Sequence, residues 1–435
     1  MRAHTISQMD AQKILQYDQP HQFEPLMPRQ EQLEPLLELA SDLTRAATAL
    51  GTQTGPNVHG DLRALLRSMN SYYTNRIEGE HTRPADIERA LQQDFSANAD
   101  VARKQRLAVA HIETEKHCEE QLGAVSAEAV QSLYSEEALK WLHERLFAGL
   151  RPEDLTLSDG SQMVPGQVRE RQVAVGRHEA PAFGAVPRFI ERWGQVYGRT
   201  RRGEATVVAA MASHHRLAWI HPFLDGNGRV ARLHTHLVLH AAGLTHGLWS
   251  PLRGFARTET KYKALLQAAD EHRRGDLDGR GNLTEAGLIE WTTYALEMCI
   301  DQADFMASML NVEGMQGRIE AALTYEESVM KAGVRREALK PLHYLFATQT
   351  ELARADFKTM TGLGDRVATD LLSSLLKQGY LNTDSAYGKV RFAIPRRALQ
   401  FYFPDLWPEA QKDAEPEAAH AEMAPALFGR TRSKT

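Results

Sequence analysis

The chain has 435 residues, with 51 Lys and Arg against 56 Asp and Glu, a formal charge of −5 and a pI near 6.4. That mild acidity excludes a chain-wide basic coat for bulk nucleic-acid binding. Its two cysteines, Cys118 and Cys299, exclude a disulfide framework or a four-cysteine zinc site. No apolar run approaches the roughly 18 residues of a membrane span. Met1 to Pro20 is polar and lacks the apolar stretch of a signal peptide, so a soluble, cytoplasmic protein is expected. At roughly 150 residues per domain, the length suggests about two to three folding units.

Residues 1–30 contain Pro20, Pro25 and Pro28 and read as an irregular arm. Leu33 to Leu50 has helical spacing, and a second helix is expected from about Asp61 to Ile77, stopped by Gly79. Pro84 opens a further helix, and two more are expected near 100–121 and 126–149. Turn residues then gather between Glu153 and Gly176, and Gln172 to Gly176 reads as a strand or hairpin arm. Helix is expected from Pro187 to about Tyr325, interrupted by a loop from Arg274 to Gly287. Beyond Gly333 the pattern is three helices followed by strands at Gly379 to Leu381 and Val390 to Ile394, the layout of a winged helix. The tail from Pro408 to Thr435, rich in Ala, Glu and Pro, is expected to be disordered.

The segment that carries chemistry is His221-Pro222-Phe223-Leu224-Asp225-Gly226-Asn227-Gly228-Arg229-Val230-Ala231-Arg232. Gly226, Asn227 and Gly228 tolerate positive φ, so successive backbone N–H groups can face one concavity. The nest opens a helix from Val230 to Ala242, and helix N-termini attract anions. Arg229 and Arg232 share a helix face and suit a polyphosphate. Asp225 is placed to hold a Mg²⁺ bound to those phosphates. His221 is a candidate general base. The plain alternative is a glycine turn with solvated arginines, but here seven polar or glycine positions fit one chemical task.

This segment resembles the signature of the Fic family, H-P-F-x-D-G-N-G-R-x-x-R, at every fixed position. Pro165-Gly166-Gln167-Val168-Arg169 and Gln172-Val173-Ala174-Val175-Gly176 look like the family's β-hairpin flap. The likeness covers roughly residues 30–300. It implies a mainly α fold: a helical Fic core with a β-hairpin flap, followed by a winged helix-turn-helix domain. It also implies transfer of AMP from ATP, with Mg²⁺, to a Ser, Thr or Tyr hydroxyl of target proteins, including the chain itself. His221 would be the base and Asp225 the metal ligand. Gly226, Asn227, Gly228, Arg229 and Arg232 would hold the phosphates. Val173 and Val175 of the flap would border the nucleotide and clamp the target by strand addition. Tyr262 resembles an aromatic near the adenine, although Lys261 replaces an adjacent tyrosine common in the family; a core aromatic is the equal alternative.

Upstream, Thr74-Asn75-Arg76-Ile77-Glu78-Gly79 resembles the family's inhibitory motif. Thr74 and Glu78 are four apart and share a helix face. The resemblance implies that Glu78 pairs with Arg232 and blocks the productive pose of ATP. The expected organisation is an N-terminal helical region over 1–125 with the inhibitory helix at about 61–79, a catalytic core over 126–325, a winged helix over 334–407 and a tail over 408–435. Two other functions share this sequence: removal of AMP at the same site, and DNA-binding regulation through the winged helix. Residues 335–397 hold eleven Lys and Arg against six Asp and Glu, a net of +5. The expected recognition helix, Asp365 to Lys377, lacks a basic face, so protein docking or homodimer contacts rank above DNA. His234, His236 and His240 suggest a metal by spacing, but without an H-E-x-x-H pattern they read as packed or solvated. Asp276 to Gly281 resembles a calcium loop but places Arg280 at a ligand position and is set aside.

Overall fold

The computed structural model describes residues 4–5 and 17–408, apart from 54, 158, 200 and 202. The tail therefore lies outside the described residues from 409 onward.

A short strand, β1 (His4–Thr5), precedes the first helices: α1 (Gln30–Thr52), α2 (Pro56–Ile77), α3 (Pro84–Leu91) and α4 (Ala99–Leu122). The single helix expected over 126–149 is two, α5 (Ala127–Ser132) and α6 (Glu136–Phe147). Each has its own cap: Ser126 Oγ accepts from Ala129 N at 3.0 Å, and Ser135 Oγ from Ala138 N at 3.1 Å. A cap serine inside the pattern restarts the helix, which apolar spacing alone does not register. β2 (Val173–Val175) and β3 (His178–Glu179) form an antiparallel hairpin, and β1 adds to the outer edge of β2 with His4 opposite Ala174 and Thr5 opposite Val173.

The centre is built by α7 (Val186–Tyr197), α8 (Glu204–Ile220) and α9 (Asn227–Ala241). α8 and α9 are buried on nearly every side, as expected of helices wrapped by others. α8 packs on α1, α7 and α9, while α9 packs on α2, α4 and α6. α10 (Leu252–Arg257), α11 (Glu259–Ala269), α12 (Glu285–Met309) and α13 (Val312–Tyr325) complete this body. From Tyr17 to α1 the chain is irregular, as expected, apart from one 3-10 turn at Pro20–Phe23, but it is packed against the core. Tyr17, Phe23 and Leu26 are buried, and Phe23 meets Phe189 and Trp219 with ring centroids 5.1 and 5.6 Å apart. Buried Arg216 of α8 donates to the Pro25 carbonyl at 3.0 and 2.7 Å. Three prolines suggested a loose segment, but three apolar side chains anchor it.

The C-terminal unit contains α14 (Leu339–Thr348), α15 (Arg354–Thr361), α16 (Asp365–Gln378), the antiparallel pair β4 (Leu381–Asn382) and β5 (Arg391–Phe392), and α17 (Leu399–Tyr402). Val390 and Leu352 exchange both backbone hydrogen bonds at 2.9 Å, tying the ribbon to the start of α15. The unit rests on α2: Asp61 Oδ2 accepts from Ile394 N at 3.0 Å, and Tyr73 Oη donates to the Leu406 carbonyl at 3.0 Å. α2 thus lies between α4 and α9 on one side and the C-terminal unit on the other.

Candidate active site

His221 ends α8 in the left-handed region, at φ +50°, which turns the chain sharply into the signature loop. Its carbonyl accepts from Arg169 Nε at 2.8 Å, and Arg169 N donates to the Pro222 carbonyl at 2.9 Å. Arg169 also donates to the Pro181 carbonyl at 2.5 Å, so one buried guanidinium ties the signature loop to both sides of the hairpin. The His221 ring bonds the Ala218 carbonyl, which holds one nitrogen protonated and leaves the other with its lone pair. Burial, reinforced by nearby His178 and Arg169, pushes its pKa down to about 3, so the ring is neutral at pH 7.

The loop is fastened to itself. Asn227 accepts from Phe223 N and donates to the Phe223 carbonyl, both at 2.8 Å. Its side chain is thus spent on holding the loop. Phe223 is fully buried and stacks on His143 with centroids 4.0 Å apart. His143 Nδ1 accepts from Gly166 N at 2.8 Å, so Nε2 carries the proton and donates to the Asp225 carbonyl at 3.1 Å. Burial pushes His143 down to about 4 and keeps this bridge neutral. Sequence reasoning missed His143, since a lone histidine on α6 carries no motif. Gly226 has φ +77°, and a Cβ there would stand 2.5 Å from the Phe147 ring. A Cβ on Gly228 would run into the Glu78 carboxylate. Both glycines are therefore required by space.

α2 meets the first turn of α9 side chain to side chain. Arg229 Nε donates to Asn75 Oδ1 at 3.1 Å, with its guanidinium 5.6 Å from the Phe147 ring. Arg232 donates through Nε to Thr74 Oγ1 at 2.9 Å, and through Nη2 to the Thr74 carbonyl at 3.2 Å and Glu78 Oε1 at 2.5 Å. Glu78 caps α2, and Gly79 follows at φ +80°. Burial raises the Glu78 pKa, but the charges of Arg232 and Arg229 outweigh it and hold the carboxyl well below the usual range.

One pocket is lined by Glu78, His221, Asn227, Gly228, Arg232 and Tyr262. Arg229 and Thr74 stand behind it, buried. Asp225 is half-exposed on the loop, and Val173 and Val175 lie on β2. Tyr262 meets both alternatives: it lines the pocket and packs on Phe255 with centroids 5.0 Å apart. Its hydroxyl pairs with His214 Nε2 at 3.0 Å. Asp270, His178 and His215 also line the pocket without any motif to reveal them. His215 Nε2 lies 3.1 Å from Asp270 Oδ1.

Residues 133–239, from the end of α5 through most of α9, match the Fic/DOC family model. The chain is 33% identical over 108 residues to "Protein adenylyltransferase Fic" of Drosophila ananassae, covering 24% of this chain and 20% of that relative. It is 32% identical over 150 residues to the protein of the same name in Drosophila mojavensis, covering 34% and 27%. The chain thus spans 20% to 27% of the length of these relatives. A crystal structure of a Fic family protein from Desulfovibrio desulfuricans G20 shares the fold, with a TM-score of 0.50 at 17% identity over 85% of this chain and 98% of that one. Among the described residues, no helix is long and apolar enough to cross a membrane.

Proposed function

We propose that the chain is a protein adenylyltransferase that moves AMP from ATP to a hydroxyl of target proteins and of itself, held in check by Glu78. The observation that carries this reading is one pocket in which a neutral His221, the glycine nest at the α9 N-terminus and Arg232 converge. The nest's N–H groups and Arg232 suit the phosphates of ATP, with Arg229 behind them. Asp225 is a hard oxygen donor on the half-exposed signature loop, which suits a Mg²⁺ ion whose remaining ligands are phosphates and water. That ion would supply neutralisation of phosphate charge. His221 takes the proton of the target hydroxyl while its oxygen bonds to the α-phosphorus. The bond between that phosphorus and the α–β bridging oxygen breaks, and pyrophosphate leaves. Positioning and charge do most of the work in such a transfer.

Glu78 occupies the guanidinium that the terminal phosphate needs. The test is the intact mass of the Glu78→Gly variant after incubation with ATP and Mg²⁺. A gain of one AMP is expected, with none in Glu78→Gly carrying His221→Ala. Equal labelling of wild type and Glu78→Gly would sink the brake. If neither is labelled and wild type instead releases AMP from a modified protein, the site runs removal.

For the C-terminal unit we infer a winged helix used for protein docking or dimer contacts. Several of its basic groups are already paired: Arg391 with Asp384 at 2.7 Å, Lys358 with Asp365 at 2.5 Å and Arg397 with Glu326 at 3.3 Å. Such internal pairing leaves less charge for phosphates. A salt-dependent gel shift would reverse this preference.

A further inference from the structure

One turn beyond Arg232, α9 carries His236 into a polar cluster sealed inside the protein. Glu115 and Glu119 of α4 face it, and all three side chains are essentially inaccessible. His236 Nε2 lies 3.3 Å from Glu115 Oε1 and 3.5 Å from Glu119 Oε1. Yet neither ring nitrogen of His236 makes a hydrogen bond of acceptable geometry, and Glu115 Oε2 also lacks a partner. Fully buried His111, one turn before Glu115, is in the same condition, with Nδ1 3.7 Å from Glu115 Oε2. Unsatisfied buried polar atoms are costly, and five on three neighbouring side chains ask for an occupant.

We propose that Glu115, Glu119 and His236 bind a divalent transition-metal ion of the zinc class. The distances carry the identification. A tetrahedral ion with Zn–N and Zn–O bonds of about 2.0–2.2 Å holds its ligand atoms about 3.3–3.6 Å apart. The His236 to carboxylate spacings are of that size, and all three ligand atoms lie within 4.8 Å of one another. One imidazole with two carboxylates suits zinc, whereas magnesium favours all-oxygen octahedra that keep several waters. Surrounding groups orient the ligands as second partners do in metal sites. Asn70 Nδ2 donates to Glu115 Oε1 at 2.9 Å, and Arg67 pairs with Glu119 Oε2. Both donors belong to α2, so the ion would fasten α4 and α9 to the helix that bears Glu78.

His236 was set aside from the sequence because its metal partners were sought at His234 and His240. His234 Nε2 pairs instead with the Leu133 carbonyl at 3.1 Å, and His240 Nδ1 with Thr245 at 3.1 Å. The true neighbours lie on another helix, spaced as His111, Glu115 and Glu119 along one face.

The competing occupant is a proton. Burial disfavours it, but the two carboxylates outweigh burial and push His236 up to about 9. The proposal does not rest on the transfer reading, and its test reads metal rather than activity. The full chain is expressed with added Zn²⁺ or Co²⁺, because a sealed site is filled during folding. It is then freed of loose ions by chelator and gel filtration. One zinc per chain is expected, and the cobalt form should show the visible absorption of a tetrahedral ion with nitrogen and oxygen ligands. His236→Gln should lower metal content and weaken affinity about a hundredfold or more. Folded wild type that retains neither metal overturns the proposal, as does retention unchanged in His236→Gln. If that variant does not fold, the cobalt spectrum of wild type decides alone.

Discussion

Two neighbouring turns of α9 present a basic group to a carboxylate, and they differ in what else reaches it. Arg232 and Glu78 meet at the edge of a pocket, and the Glu78 side chain keeps 15% of its exposure. His236 with Glu115 and Glu119 is shut off from solvent. A pair at a pocket can be exchanged, since an incoming phosphate can take the guanidinium that the carboxylate holds. A sealed pair cannot be exchanged without opening the helix interface. The first suits a brake and the second a rivet, although both join α9 to neighbouring helices.

The largest expected effect breaks the sealed side. Glu115→Ala removes one carboxylate from a fully buried cluster, leaving Asn70 without its acceptor and His236 facing Glu119 alone. Stripping one member from such a pair typically costs about 3–5 kcal/mol. Urea unfolding followed by circular dichroism should show a loss of that size. A loss below about 1 kcal/mol would erase the distinction between the two turns, since exposed pairs cost that little.

Acid should strike elsewhere first. His221, His143 and His234 are buried, and burial pushes them down to about 3, 4 and 4. Between their ordinary value of 6.5 and those depressed values, the unfolded chain binds protons that the folded chain refuses. Stability therefore falls as pH drops from about 6.5 toward 4. The Glu78 carboxyl is depressed by its arginines, so its contribution is present above its ordinary value of 4.5 and is lost only below it. Melting temperature against pH should decline in the first window, before the pair of Glu78 and Arg232 titrates. A flat profile from pH 6.5 to 5 would contradict the neutral state assigned to these histidines.

How much of this was legible beforehand depended on spacing along the chain. His221 to Arg232 lie within one loop and one helix turn, so their chemistry could be seen in order, and Thr74 with Glu78 is a single helix-face pair. α1, α2 and α4 follow from apolar periodicity within a few residues of their ends. His143 and the Glu115 cluster depend on helices brought together from distant parts of the chain, and no local pattern encodes that meeting. Residues from Tyr17 to Pro28 are irregular as their prolines indicate, but proline density says nothing of the aromatic pocket that receives Phe23.

On the pocket side, the proposed brake can be graded. Thr74 Oγ1 accepts from Arg232 Nε at 2.9 Å and steers the guanidinium toward Glu78 without carrying charge. Thr74→Ala removes a hydrogen bond from a charged donor to a neutral acceptor, worth about 1.5 kcal/mol, so self-labelling should rise about tenfold, well short of Glu78→Gly. Equal rates in the two variants would mean that Thr74, rather than the carboxylate, sets the pose of Arg232.

The smallest effect concerns the hairpin. Strand addition is the proposed way for a target backbone to dock, yet the outer edge of β2 already pairs with His4 and Thr5 of the same chain. An incoming segment must displace that pair, whose few backbone hydrogen bonds contribute about 1 kcal/mol in net terms. Deleting residues 1–10 in the Glu78→Gly background should thus lower the KM for an added peptide substrate about two- to fivefold and leave kcat unchanged. A change in kcat instead would show that β1 supports the geometry of His221, through the hairpin that Arg169 ties to its carbonyl, rather than competing for the edge.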